Sequence, residues 1–323
     1  MAQTAAGLAA VYKDQAGNYG YISSEGKILI PAQFKDAKAF SDGVALVKVK
    51  KSTGEIRYGL IDKSGNFISE PIYYTAGEFK EGLALVRVKT QTGELRYGYI
   101  NKTGKFAIEP VYIYASEFSE GLAAVQFSKK VKSETDSGSV ETIIAWAYID
   151  KTGKTVIEES QISVPSKISM LGNFYNDVAA VSVFEFTETY YVNRKTLQPS
   201  IKGNNNKTQK TQASEELSLV QKGPLMYEYV NAKGNKAFSK SFTRASDFQE
   251  GLAMVEIDKK VAFIDKKGDV KFTTDFRYTD NTKAGGFKNG FFTFITAEGK
   301  YGVINRQGKL VINPEYSFIG EFN

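Results

Sequence analysis

The sequence predicts an all-β repeat fold, and three observations carry that expectation. A Tyr-Gly-Tyr-Ile type segment followed by an Asn/Asp-x-x-Gly turn recurs along the chain. A separate Phe-x-x-Gly column recurs in the same phase. Between these markers no segment keeps a 3.6-residue apolar period long enough to form a substantial helix.

The first column reads Tyr19-Gly20-Tyr21-Ile22, Tyr58-Gly59-Leu60-Ile61, Tyr97-Gly98-Tyr99-Ile100, Trp146-Ala147-Tyr148-Ile149, Tyr227-Glu228-Tyr229-Val230, Val261-Ala262-Phe263-Ile264 and Tyr301-Gly302-Val303-Ile304. A weaker copy lies at Tyr190-Tyr191-Val192-Asn193, where Thr196 stands in place of the turn glycine. The second column opens at Phe40, Phe79, Phe118, Phe174, Phe248 and Phe287. Gly43, Gly82 and Gly121 follow one another at intervals of 39 residues. Two independent columns in one phase define eight units of about 40 residues over positions 1–323, a single repeat domain whose most divergent units fall in 158–216.

Within one unit the elements follow in order. We name four segments A to D. Leu83–Val88 alternates β-branched and small residues as a half-buried strand does, and forms B. Arg96–Ile100 forms C. Asn101-Lys102-Thr103-Gly104 is a turn, begun by an Asx side chain and closed by a glycine at positive φ. Lys105–Ile108 returns as D, and Pro110 is expected to end its ladder because it has no N–H. The remaining A piece keeps the spacing aromatic-x-x-Ala-x-x-Phe, as in Phe34/Ala37/Phe40, Tyr73/Ala76/Phe79 and Tyr112/Ala115/Phe118. A spacing of three fits either a bulged strand or a single helical turn.

A meander of three or four short strands cannot bury both faces alone, so units must stack on one another. The expected architecture is a β-propeller of about eight blades, closed by strands from both termini. The chain begins inside a unit, at Gly7-Leu8-Ala9-Ala10-Val11, and ends on an A piece, Tyr316 to Phe322, so its two ends complement each other. An open β-solenoid of stacked meanders is the alternative.

The pattern Gly-Leu-Ala-x-Val, Tyr/Trp-Gly-Tyr-Ile-Asp-x-x-Gly-Lys, Ile-x-Pro-x-Tyr-x-x-Ala-x-x-Phe resembles the bacterial WG-repeat family. The resemblance covers nearly the whole chain, best at Gly7–Ile157 and Gly251–Phe322, with Tyr usually in place of the tryptophan. It implies a β-rich interaction module and brings no common catalytic residue with it.

In such a unit the A–B and C–D links are short and share one end. The B–C and D–A connections share the other, and every long insertion falls there: Ser128–Thr142, Glu158–Ser169, Pro199–Ala213 and Thr273–Thr282. Variable connections on a regular scaffold are where binding concentrates, so this face is the expected ligand face. Candidate ligand-binding residues are Lys129, Lys130 and Lys132 in one insertion and Lys202, Lys207 and Lys210 in another, suited to an anionic polymer; the plainer reading is solvated loops. Tyr73, Tyr112 and Tyr316 belong to an aromatic column, with Phe34 and Phe242, that could line a sugar channel; the plainer reading is packing between units. No aromatics interleave with the lysines, so nucleic acid is disfavoured.

Composition narrows the chemistry. The 323 residues carry a formal net charge of +6 and contain neither histidine nor cysteine. That excludes a Ser-His-Asp triad, an imidazole base, a thiolate nucleophile and His- or Cys-ligated metal sites. Calcium is disfavoured because the Asp62–Asn66 and Asp265–Asp269 turns lack spaced carboxylates and a terminal glutamate. No cofactor or metal is therefore expected. The leading functional expectation is a non-enzymatic scaffold that binds a protein or a glycan through its long-connection face. The alternative is a carbohydrate-active enzyme using paired carboxylates in a central depression. Asp36, Glu78, Glu117, Asp247 and Glu321 recur in one register but read first as solvent-facing positions. No apolar run is long enough for a membrane span. The polar start Met1–Ala6 resembles a stub left by signal cleavage, and a cysteine-free chain suits export, so a secreted or cell-surface location is expected, with the cytoplasm as the alternative.

Overall fold

The computed structural model describes residues 9–132, 139–184, 189–200, 217–277 and 286–322. These form antiparallel sheets of two to four strands, with one 3-10 turn at Glu159–Gln161 as the helical exception. Among the described residues no helix is long and apolar enough to cross a membrane. The chain forms two compact bodies: Met1–Phe40 with Thr208–Asn323, and Ser41–Lys207.

The second body shows the repeat most clearly. In one meander A is Thr75–Lys80, B is Leu83–Lys89, C is Leu95–Ile100 and D is Phe106–Tyr112. The A piece is a bulged strand and not a helical turn. Ala76 pairs with Val86, yet Phe79 pairs with Ala84, so A carries one extra residue where its spacing of three had been ambiguous.

The A–B link is a two-residue turn with both φ angles positive, as a type I′ hairpin needs. The pairs are Asp42/Gly43, Glu81/Gly82, Glu120/Gly121, Asn176/Asp177, Glu250/Gly251 and Asn289/Gly290. In the C–D link the leading Asx side chain takes over the turn's donors. Asn101 Oδ1 accepts the N–H groups of Thr103 and Lys105, and Asp150 Oδ1 accepts those of Thr152 and Lys154. In the divergent repeat Asn193 Oδ1 still accepts the Lys195 N–H, and Leu197, at φ 55°, adopts the conformation that glycine adopts elsewhere.

Pro110 does not end the D strand. It sits in a bulge, because Tyr97 pairs with Tyr112 while Tyr99 pairs with Ile108. The strand runs on to Tyr112, with the proline in the segment that bows out of the ladder. The bow brings D backbone against C, which explains the glycine of the Tyr-Gly pair. A Cβ at Gly98 would lie 2.8 Å from both the Ile108 carbonyl oxygen and Pro110 Cα.

The core lies between successive repeats. One cluster joins Leu46, Tyr58, Leu60 and Tyr73 to Ala84, Val86 and Ile100. The next joins Tyr99, Ile108 and Tyr112 to Phe118, Val125 and Ala147. A third joins Trp146, Tyr148 and Ile157 to Ile168, Phe174 and Val181. This third cluster carries the divergent repeat, whose strands Ile168–Tyr175, Val178–Val183, Thr189–Asn193 and Pro199–Ser200 keep the four-stranded order.

In the first body the two chain ends meet. Strand Ala9–Lys13 pairs on one side with Tyr19–Ser23 and on the other with Phe318–Ile319, in the register Tyr12 to Ile319 and Lys13 to Phe318. Ile319 and Phe322 share a buried cluster with Ala10, Tyr12 and Ile22.

Candidate functional site

At the A–B and C–D end of the repeats, side chains bind neighbouring repeats to each other. The carboxylate of Glu81 accepts the backbone N–H of Gly121 at 3.1 Å, one repeat further along. Glu120 accepts the N–H of Asp177 at 3.0 Å, and Glu250 that of Gly290 at 2.9 Å. A cation from the next C–D turn reaches back to the same corner. Lys102 pairs with Asp42, Lys151 with Glu81 at 3.6 Å, while Arg194 and Arg306 donate to the carbonyls of Glu120 and Glu250. Glutamate at positive φ is disfavoured, and these charge-assisted bonds to backbone N–H groups offset that strain.

A second tie comes from the C strand. The hydroxyls of Tyr21, Tyr99 and Tyr229 donate at 2.7–2.8 Å to the carbonyls of Lys38, Ser116 and Ser246, each 17 residues on, in the following A piece. Tyr148 donates likewise to Gly172 at 2.7 Å. Burial raises the pKa of Tyr21, Tyr99 and Tyr148 well above the ordinary phenol range, so each stays a neutral donor. This end of the repeat is thus committed to internal bonding.

The opposite end differs. In the second body the Ser128–Thr142 insertion includes no simple loop at its described ends. Both flanking strands are lengthened into a projecting ribbon, with B running Ala123–Lys132 and C running Val140–Ile149. Lys129 faces Ile143, Lys130 faces Thr142 and Lys132 faces Val140 across the pair. A cleft of about 600 Å³ opens at the root of this ribbon, lined by Ile143, Ile144, Trp146, Glu158, Glu159 and Lys167 among others. Glu159 Oε2 accepts the backbone N–H of Trp146 at 2.9 Å, and Gln161 Oε1 accepts that of Glu158 at 2.7 Å. The Trp146 ring is only 5% exposed and stands edge-on to Tyr114, so it forms the cleft floor and presents no stacking face. Ile143 and Ile144 are 38% and 42% exposed and supply the apolar wall.

A shallower hollow of about 300 Å³ lies at the same end of another repeat, where the Arg57 guanidinium stacks 3.7 Å over Tyr74 beside Lys51, Ile72 and Lys89. Both hollows use B–C and D–A connections, the end the sequence nominated. Among the described residues no group of three or more potential metal ligands is present.

The other candidate residues separate cleanly. Lys129, Lys130 and Lys132 are solvent-exposed as expected, but on a strand and not in a loop. Lys202, Lys207 and Lys210 lie outside the described residues. Tyr73 and Tyr112 do not line a channel. They are 1% and 8% exposed and sit within inter-repeat clusters, because the aromatic that opens an A piece also ends the D strand facing the next repeat. Phe34 and Phe242 are buried in the same way. Tyr316 is half-buried against Tyr12 at 5.1 Å. Sequence reasoning missed Ile143, Ile144 and Glu159. The available signal was the run Thr142-Ile143-Ile144-Ala145 before Trp146, which extends the apolar stretch beyond that of other repeats.

Comparison with known proteins bears on the repeats. The family profile described as "WG containing repeat" matches residues 19–51, 58–89, 97–130, 229–260 and 301–323. No curated protein matches the chain. Among solved structures, apo AztD from Citrobacter koseri aligns at 15% identity over 92% of this chain and 88% of that one, with a TM-score of 0.29. BamB from Moraxella catarrhalis aligns at 11% identity over 85% and 83%, with a TM-score of 0.26. Superpositions this loose establish neither a shared fold nor a shared role. Each matched segment opens on a C strand and runs through its C–D turn and D segment into the following A piece, and on that ground these five segments are repeats of the WG-repeat family.

Proposed function

We propose that this protein is a non-enzymatic scaffold: an eight-bladed β-propeller closed by its terminal strands, which binds a protein or glycan through the face carrying the B–C and D–A connections. One observation carries the reading. The A–B and C–D ends are consumed by repeat-to-repeat bonds, whereas the projecting ribbon and both hollows occupy the opposite end. Pairing of Ala9–Lys13 with Phe318–Ile319 supports closure, since it joins the first repeat to the last A piece. Absence of histidine and cysteine supports a binding role over an enzymatic one. A cysteine-free chain also suits a location outside the cell, where a stray thiol would be oxidised.

The test replaces Ser128–Thr142 in the full chain by a four-residue hairpin loop and measures binding to an array of neutral and anionic glycans and to displayed peptides. Binding should be lost with the ribbon and kept in Asn305→Asp, which alters only a C–D turn. Binding that survives ribbon removal but is lost on altering the turns would overturn the reading. Hydrolysis of an array glycan by the intact protein would favour the carboxylate enzyme instead.

A further inference from the structure

The projecting ribbon has an unused edge. C pairs with B along its full length, from Ala123–Ile149 to Lys132–Val140. On its other side the D strand Thr155–Glu158 reaches only to Ala147. Beyond that point no strand among the described residues pairs with C on that side. Backbone groups along a strand point alternately to its two sides. The Trp146 N–H points to the D side, where the Glu159 carboxylate meets it. The groups of Ile144 and Thr142 therefore point the same way, and among the described residues neither has a partner there. Glu159 occupies the place where a continuing strand would put its first carbonyl.

The cleft straddles this edge instead of lying on a sheet face. Ile143 and Ala145 project to one side of the sheet and Ile144 and Trp146 to the other, yet all four line it. Such a shape suits a chain laid edge-on, with alternate side chains above and below.

Charge narrows the occupant. Lys129, Lys130 and Lys132 are exposed and have no acidic partner among the described residues, while the carboxylates of the cleft, Glu158 and Glu159, stand at its other end, where D stops. They stand one strand in from the free edge, so a strand added there lies about 10 Å from their backbone, within lysine reach. Lys129 shares a side of the sheet with Ile143, and Lys130 one with Ile144 and Thr142, so cations flank the edge on both sides.

We propose that residues 142–146 form a β-augmentation site that takes an extended aliphatic segment bearing acidic residues from a partner protein, added as a strand in line with Thr155–Glu158. This rests on the long-connection face being the binding face, and narrows it to a peptide ligand at one edge.

The test uses the full chain and three synthetic octapeptides: alternating Val and Asp, alternating Val and Lys, and the Val/Asp peptide with alternate amides N-methylated. Titration calorimetry reads affinity, and NMR reads the amides of Thr142 and Ile144. The Val/Asp peptide should bind and shift those two amides. N-methylation should weaken it about tenfold, since two or more backbone bonds are lost. The Ile144→Pro variant removes an outward N–H without touching the B–C ladder and should weaken it similarly, while its thermal unfolding stays near wild type. The Val/Lys peptide should bind more weakly than Val/Asp. Equal binding of the N-methylated peptide, or no peptide binding by a protein that unfolds cooperatively, overturns the proposal. So does dimerisation of the free protein abolished by Ile144→Pro, which would assign the edge to a second copy. A glycan that binds wild type and Ile144→Pro equally would overturn the edge site yet leave the long-connection face standing.

Discussion

Tyr99 illustrates what single residues contribute here. Its ring is buried between repeats, and its hydroxyl holds the Ser116 carbonyl of the next A piece. Tyr99→Phe leaves that carbonyl unpaired and should cost about 1–2 kcal/mol in denaturant unfolding. The glycine and Asx columns were plain in the sequence because backbone conformation restricts the residue type. The tyrosine ties were not, since their acceptors are backbone carbonyls 17 residues on, which leave no mark on residue identity. The acidic turn residues were equally silent, because glutamate on a turn reads as solvent-facing. Asp62 and Asp150 add a pH dependence. Hydrogen bonds from the Asn66 backbone to Asp62, and from the Thr152 side chain to Asp150, hold both carboxyls below the ordinary 3.8. A lowered folded value means that their stabilisation is complete above 3.8 and lost as pH falls through the folded value. The Asp62→Asn/Asp150→Asn variant keeps the turn, as Asn101 does, but should lose less stability between pH 4 and pH 2. A pH series of melting temperatures reads this, and a slope identical to wild type would contradict it.

At the scale of elements, the B strand, the C strand and both tight turns were legible from alternation and turn chemistry. The A and D strands were not fully so, because bulges break the period that identifies a strand. The D bulge places Pro110 inside the strand and imposes Gly98 opposite it. Gly98→Ala forces a Cβ against backbone that cannot rotate away and should destabilise by about 2–3 kcal/mol by chemical denaturation. Ala147, where the register of Thr155–Glu158 shows no such bow at that position, tolerates its Cβ already. The ties between turns give a converse case. Glu120→Asn suits positive φ better but cannot span to the Asn176-Asp177 turn. The variant should be less stable by about 1 kcal/mol. A gain in stability would mean that conformational strain outweighs the tie. The Ser128–Thr142 ribbon was expected as a loop, since its lysines and serines mask the cross-strand pairing that register alone reveals.

For the molecule as a whole, repetition carried most of the information. Repeats of about 40 residues cannot close a core singly, and the clusters accordingly run between neighbours. The candidate site was legible only in outline: the sequence indicated which end of the repeat carries it, and one of its lysines, Lys129. The cleft itself depends on where the D strand stops relative to C, which is a register property. The central claim is that the array joins its own ends, and the absence of cysteine makes it directly testable. Lys13 and Phe318 are cross-strand partners, at a separation a disulfide spans. In the Lys13→Cys/Phe318→Cys variant, mild oxidation of dilute full-length protein should give a monomeric cross-linked species, seen as altered mobility on non-reducing gels, with a melting temperature above that of its reduced form. Disulfides formed only between molecules, or none while each single-cysteine variant remains reactive, would contradict that pairing and with it the proposed closure.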